Sequence, residues 1–248
     1  MLMKTSPLHL QGTPHPQAEV CMGCEVRRHA VFKVLDEASL ERLHVPIAAP
    51  SMAAEERIYA RGHAGGAAFT VRSGIVRFER VTAGGERRIV RLAGRGDFIG
   101  QEALLGQPYR DDAVACTPVA LCRIPALVID EIGSGQARLS RELMHRWQHA
   151  LDDAEGWSAE LGSGPARRRV LRLLQLLQRH AEDEAGPGGT RIWLPRRDQM
   201  GDMLDMTMET ASRVVSQLRR EGVLRPVLPQ HAWLDEQRLL EALREADD

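Results

Sequence analysis

The sequence predicts an α+β chain on three observations. Short alternating strands punctuated by glycine run from about residue 55 to 124, one apolar stripe marks a long helix over 136–161, and two short helices flank a three-residue turn over 197–221. The 248 residues suffice for two domains, each with its own core. Hydrophobic content of 43% and charged content of 27% belong to a globular chain, and no apolar run approaches the ~20 residues of a bilayer span. Residues 1–20 lack the apolar segment of a secretory leader, so a cytoplasmic protein with no membrane partner is expected.

The Pro-, His- and Gln-rich residues 1–20 show no periodicity and read as an arm, which with Cys21 and Cys24 forms a first segment, 1–30. A short helix is expected over 36–44, with Asp36 as N-cap and Leu40 and Leu43 on one face. Strands then follow at 57–60, 68–71, 75–79 and 88–92, the last two joined across Ala83-Gly84-Gly85. Many short strands with glycine turns predict a sandwich, barrel or jelly roll, so 31–132 is read as a sensor domain. In the long helix, within 133–162, the stripe is Leu139, Leu143, Trp147, Ala150, Ala154, Trp157 and Leu161. Arg138, Glu142, Arg146, Asp152, Asp153 and Glu160 make the opposite face. Such a helix can lie on its own domain or pair with a copy of itself; self-pairing is favoured because no second long helix adjoins it. Gly162-Ser163-Gly164-Pro165 ends it and makes a hinge to 163–248.

That last segment opens on a helix from Pro165 with Val170, Leu173, Leu174 and Leu177 as its stripe, then a loop at 186–189 and a strand at 191–194. Helices at 197–204 and 208–221 follow. Met200, Met203 and Leu204 face inward on the first, with Gly201 permitting close approach. Val214, Val215 and Leu218 face inward on the second, with Thr207 as N-cap and Gly222 as stop. Two helices in this layout can set the second in a DNA major groove with its N-terminal residues at base edges. The exposed residues there are Glu209, Thr210, Ser212 and Arg213. Glutamate accepts from cytosine, arginine donates bidentately to guanine, and serine serves either. Gln217, Arg219 and Arg220 are candidates for phosphates. The alternative is the solvated face of an ordinary helical hairpin. Charge offers little help: the chain carries a net −1, and 191–226 has seven arginines against five acids.

Residues 195–224 resemble the helix-turn-helix of the Crp/Fnr family, and Glu209-x-x-Ser212-Arg213 is similar to the base-reading set of its Fnr branch. The resemblance extends over about 20–245. Gly96-Asp97-Phe98-Ile99-Gly100 and Cys116 to Pro125 resemble late strands of the family's roll, and 136–161 falls where its dimerisation helix would be. It implies an N-terminal cyclic-nucleotide-binding-like β-roll (jelly roll), a long dimerisation helix and a C-terminal winged helix-turn-helix, with 223–233 as wing and 235–245 as terminal helix. It also implies a homodimer on double-stranded DNA, a palindrome of TTGAT-like half-sites, and RNA polymerase as a further partner.

The signal is less determined. A family cyclic-nucleotide pocket needs a Gly-Glu pair and an Arg-Ser/Thr-Ala run. Here Gly100-Gln101-Glu102 and Arg110-Asp111-Asp112-Ala113 stand instead, and two aspartates beside Arg110 are expected to neutralise it, which disfavours cAMP. The Fnr-like resemblance implies a [4Fe-4S] cluster. Cys21, Cys24 and Cys122 match three of its four ligand positions, and Ala30 stands at the other; His29 or Cys116 are the substitutes. The alternatives are zinc on Cys21, Cys24, His29 and one more thiol, a Cys21–Cys24 redox switch, haem on His29, His44 or His63, or no cofactor. The strand region 55–125 contains only His63, too few histidines for a cupin-type metal enzyme, and no Ser-His-Asp, P-loop or dinucleotide pattern occurs, so no enzymatic activity is expected.

Overall fold

The computed structural model describes residues 21, 23–41, 47–128, 137–181, 185–186 and 189–247. The 1–20 arm, Leu43 and His44 lie outside them. Two 3-10 turns, Glu25–Arg28 and Val31–Val34, lead into α1 (Glu37–Glu41), where Asp36 accepts from Ser39 N at 2.8 Å as the expected cap.

The expected roll is a pair of antiparallel four-stranded sheets. One has the order β1 (Ser51–Met52), β8 (Val119–Pro125), β3 (Ala67–Ser73), β6 (Phe98–Ile99). The other runs β2 (Arg57–Tyr59), β7 (Asp112–Ala115), β4 (Val76–Val81), β5 (Arg87–Ala93). Gly85, at φ 83°, supplies the left-handed residue that closes the β4–β5 hairpin. β3 is buried on both faces. Ala67, Phe69 and Val71 enter the roll interior, while Ala68 joins a second core with Val31, Phe32, Leu35 and Ile124. The N-terminal turns thus cover the roll's outer side. Tyr59 stacks on Tyr109 at 4.0 Å and on Phe69 at 5.8 Å, filling one end of the interior.

The long helix α2 (Ala137–Leu161) follows, then α3 (Ala166–Arg179), α4 (Arg197–Leu204), α5 (Met208–Arg220) and α6 (Glu236–Asp247). A third sheet, ordered β11 (Leu224–Leu228), β12 (His231–Leu234), β10 (Gly189–Trp193), β9 (Ala185–Gly186), supplies the wing as the β11–β12 hairpin. Asp235 accepts from Arg238 N at 3.1 Å and so starts α6.

Two expectations change. The C-terminal core is not confined to its own segment: Ile75, Ile89, Leu92 and Cys116 of the roll pack in one cluster with α3, α4 and α5. The sequence shows alternation within each strand but not that the outer face of β4–β5 would meet a second domain. Glu142, placed on the polar face of α2, is only 7% exposed. It turns inward because Lys33 and Arg146 reach it at 3.1 and 2.8 Å.

Candidate nucleic-acid interface

The helix-turn-helix is built from α4 and α5. Gln199 closes the start of α4, its side-chain oxygen accepting from Arg196 N at 3.0 Å. At the turn, Asp205 adopts a left-handed φ of 52°, and Gly201 is required because a Cβ there would stand 2.7 Å from the Met206 carbonyl. Thr207 caps α5, accepting from Thr210 N at 3.2 Å. Ala211, Val214, Val215 and Leu218 face the core, so periodicity alone turns Glu209 and Arg213 to solvent, with Ser212 half-exposed between them.

Two expected contacts acquire other duties. The Thr210 hydroxyl is paired with the Thr207 hydroxyl at 3.0 Å and so takes part in the cap of α5. Gln217 donates to Glu221 at 2.9 Å along its own helix. Arg219 and Arg220 are exposed at the helix end. Sequence reasoning missed Arg197: burial first, and then the Arg219 charge, holds its pKa below the ordinary guanidinium value. Its guanidinium donates to the Pro195 carbonyl at 3.2 Å.

α4 is also the joint to the roll. Glu55, itself at φ 68°, grips Arg77 of β4 through both carboxylate oxygens at 3.0 and 2.7 Å, and also accepts from Gln199 at 3.3 Å and Arg196 at 3.4 Å. Burial raises its carboxyl pKa, but hydrogen bonding and the charges of Arg77 and Arg196 outweigh this and leave it lowered. Farther along, Arg87 pairs with Asp202 at 2.7 Å and Arg88 with Asp205 at 2.6 Å. The first helix of the helix-turn-helix, with the residues at its two ends, is therefore ion-paired to the roll along one side. No sequence spacing signals this, since the partners lie 115 and 117 residues apart.

On α2 the seven expected stripe residues separate into two groups. Leu139 and Leu161 are buried in the chain's own cores, and Leu143 and Trp157 pack partly against them. Trp147 and Ala154 are exposed and Ala150 is half-buried. Met144, at 59%, and Leu151, at 52%, extend that exposed apolar band.

The cysteines separate likewise. Cys21 and Cys122 pack against the outer core of the roll. Burial, with smaller contributions from Cys24 and Cys21, pushes the Cys122 thiol up to about 11. Cys116 lies instead in the core shared with the helix-turn-helix, beside Arg77, where burial pushes its thiol up to about 12. Cys116 is thus no substitute ligand for the Cys21–Cys24–Cys122 group: the turn at Pro118 carries it to the other sheet. Nor is His29, whose side chain lies over Gly96 while its carbonyl accepts from Arg146. Among the described residues, no three His, Cys, Asp or Glu side chains stand in an arrangement to hold a metal ion. Three neighbouring thiols, with Ala30 at the remaining position, do not fit a cluster with four protein ligands. Of the haem candidates, His63 sits on an exposed turn and His44 lies outside the described residues.

In the groove between the roll and α2, the aspartates beside Arg110 act differently from expectation. Asp111 pairs with Arg80 at 2.6 Å, and Asp112 lies 3.7 Å from Arg57. Arg91 lies over the Phe78 ring at 4.0 Å. Arg110 is left exposed, with its backbone N–H toward Glu102 at 3.4 Å. The negative charge remains in the groove, but it belongs to Arg80.

Among the described residues no helix is long and apolar enough to cross a membrane. Residues 50–134 match the cyclic nucleotide-binding domain family and residues 168–242 the Crp-like helix-turn-helix domain. A probable transcriptional activator of Rhizobium leguminosarum bv. viciae is 29% identical over 215 residues, covering 86% of this chain and 87% of its own. The transcriptional activator protein FnrL of Cereibacter sphaeroides is 27% identical over 209 residues, covering 82% and 83%. FixK2 from Bradyrhizobium japonicum superposes with a TM-score of 0.69 at 26% identity, over 80% of this chain and 98% of that one. With the roll, the helix-turn-helix and both domain matches in the same order along it, the chain belongs to the Crp/Fnr family of DNA-binding transcription regulators, a class without enzymatic activity.

Proposed function

We propose that the chain acts as a homodimer that reads a palindrome of TTGAT-like half-sites with Glu209, Ser212 and Arg213. The observation that carries this reading is the division of α5: its buried side is wholly apolar, and its outward N-terminal half presents those three side chains together. Arg213 donates to a guanine edge, Glu209 accepts from a cytosine amino group, and Arg197, Arg219 and Arg220 meet phosphates. The exposed band Met144, Trp147, Leu151 and Ala154 pairs with its copy and places two recognition helices on one face of the duplex. RNA polymerase is the further partner implied by the family. Binding of a TTGAT-palindrome duplex is expected to weaken with salt and to be lost on a scrambled duplex. Arg213→Ala is expected to cost about 1–3 kcal/mol per half-site. Equal affinity of wild type and variant for the palindrome would overturn the assignment.

The signal, on this reading, enters at Cys21, Cys24 and Cys122 as a change in thiol redox state, caused by an oxidant or by nitric oxide. Support comes from packing. Cys21 and Cys122 touch the cluster that contains Phe32, Ile124 and Leu139, so altered thiols disturb the seat of the first turn of α2. Signal and DNA then favour the same dimer state through one helix. Cys21→Ser/Cys24→Ser is expected to abolish the redox response of DNA binding while leaving binding itself intact. A full response in that double variant would remove the thiols from the mechanism. Iron and sulfide content of anaerobically purified protein separates thiol chemistry from a cluster.

A further inference from the structure

Helix α2 carries two imidazoles that the fold leaves unused. His145 and His149 are both exposed and line one cavity of about 620 Å³ between α2 and the β5–β6 turn. Among the described residues neither makes a hydrogen bond. They stand four residues apart, so they project from one face of the helix with Cβ atoms about 5–6 Å apart. Two ring nitrogens, each about 2.0 Å from a common ion, span that distance without bending the helix. Trp147 and Leu151 each follow one of these histidines by two residues, about 200° round the helix, so self-pairing along that band leaves both rings uncovered.

The charges around the cavity suit a cation. Asp97 and Asp153 line it from the roll and from α2. Burial raises the Asp153 pKa and the Asp97 charge adds to the rise, while His180, Arg91 and His149 oppose it. The basic residues there are engaged elsewhere. Glu142 holds Lys33 and Arg146, Arg91 lies over the Phe78 ring, and Arg95 lies 3.7 Å from Glu25. Imidazole suits zinc and copper, whereas carboxylate suits magnesium and calcium, so the two rings decide between these classes. No third His, Cys, Asp or Glu side chain among the described residues is placed to join them. We propose that His145 and His149 chelate a divalent transition-metal ion of the zinc and copper class, with water completing its coordination. An ion gripped across one turn ties that turn of α2 together, in the stretch between its two buried ends. The site uses none of the thiols to which the signal is assigned above, and it stands apart from that assignment.

The test is a calorimetric zinc titration of the full-length, tag-free protein carrying Cys21→Ser/Cys24→Ser, which keeps those thiols out of the isotherm. His145→Ala and His149→Ala are each expected to weaken one zinc equivalent by at least about tenfold, the loss that follows even removal of a metal site's outer-shell partner. The double variant should lose little more than either single one, because a lone imidazole does not chelate. Zinc should raise the melting temperature of the parent more than that of either variant. Without metal all these chains should melt alike, since both side chains are exposed. Excess magnesium should not displace the ion. Isotherms unchanged in both single variants overturn the site. Displacement by magnesium also overturns it, by assigning the ion to Asp97 and Asp153, and additive losses do so by showing two separate single-histidine contacts.

Discussion

The two ends of α2 and its middle are built for different neighbours. The first turns are set in the outer core of the roll, where Leu139 is fully buried and Glu142 is held by Lys33 and Arg146. The last residue, Leu161, is buried with Val170 and Leu171 in the core that holds the helix-turn-helix. Between them, Met144, Trp147 and Leu151 stand exposed. At ~1.5 Å per residue, the helix joins two cores roughly 35 Å apart. The difference teaches that an apolar stripe on one helix can be divided: its ends serve the roll and the DNA-binding unit, and its middle is left exposed for the self-pairing proposed above. The largest expected effect follows from the middle. On the proposed pairing, Leu151→Glu puts two carboxylates into the two-fold interface and should weaken self-association by about 4 kcal/mol or more, with monomer seen by sedimentation at micromolar concentration. A variant that remains as dimeric as wild type would mean that α2 pairs along another face.

The ends give the next effect. Leu139→Ala and Leu161→Ala each empty a fully packed site and should lower unfolding free energy by about 3 kcal/mol in urea titrations. Because the residues belong to separate clusters, the double variant should lose the sum to within about 0.5 kcal/mol. Strong non-additivity would show that the helix transmits strain between the cores even without DNA.

This division also explains what could be read from the sequence. The boundaries of α4 and α5, the Thr207 cap and the inward stripe Val214, Val215 and Leu218 were legible because each follows from residues within one or two turns. The stripe on α2 was legible as apolar, but not in its allocation. Leu139 and Trp147 look alike in sequence, and only the packing of Val31 and Phe32 over the first distinguishes them. Glu142 misled for the same reason, since Lys33 is 109 positions away (142 minus 33). Cys116 and Cys122 are close in sequence yet belong to different cores, because the chain crosses from one sheet to the other between them. The Glu55 joint was invisible: a glutamate in a loop has no periodicity to betray it, and its left-handed backbone is known only from the fold. Local chemistry was recoverable, whereas pairing between the sensor and the reading unit was not.

The smallest expected effect lies where the roll, α2 and the DNA-binding unit meet. His180, the residue after α3, lies under the β5–β6 turn, where Gly94 leaves the room that a Cβ would take from its ring. Burial lowers its pKa below the ordinary 6.5. Asp97 of that turn and Asp153 of α2 oppose the shift, and Arg179 adds to it. Arg191 and His231 of the third sheet line the cleft on its other side. A depressed imidazole pKa means that separating the units favours proton uptake, so this contact is at full strength above about pH 6.5 and weakens as pH falls. Asp153 acts in the opposite sense. Burial raises its pKa, so its cost grows as pH rises and it ionises, while the Arg91 and His149 charges moderate the shift. The imidazole should therefore dominate on the acid side of neutrality. Melting curves from about pH 5 to 8 should show wild type losing stability toward acid more steeply than His180→Gln. Parallel curves would mean that the ring titrates alike in the joined and separated states, and that this joint does not respond to protons.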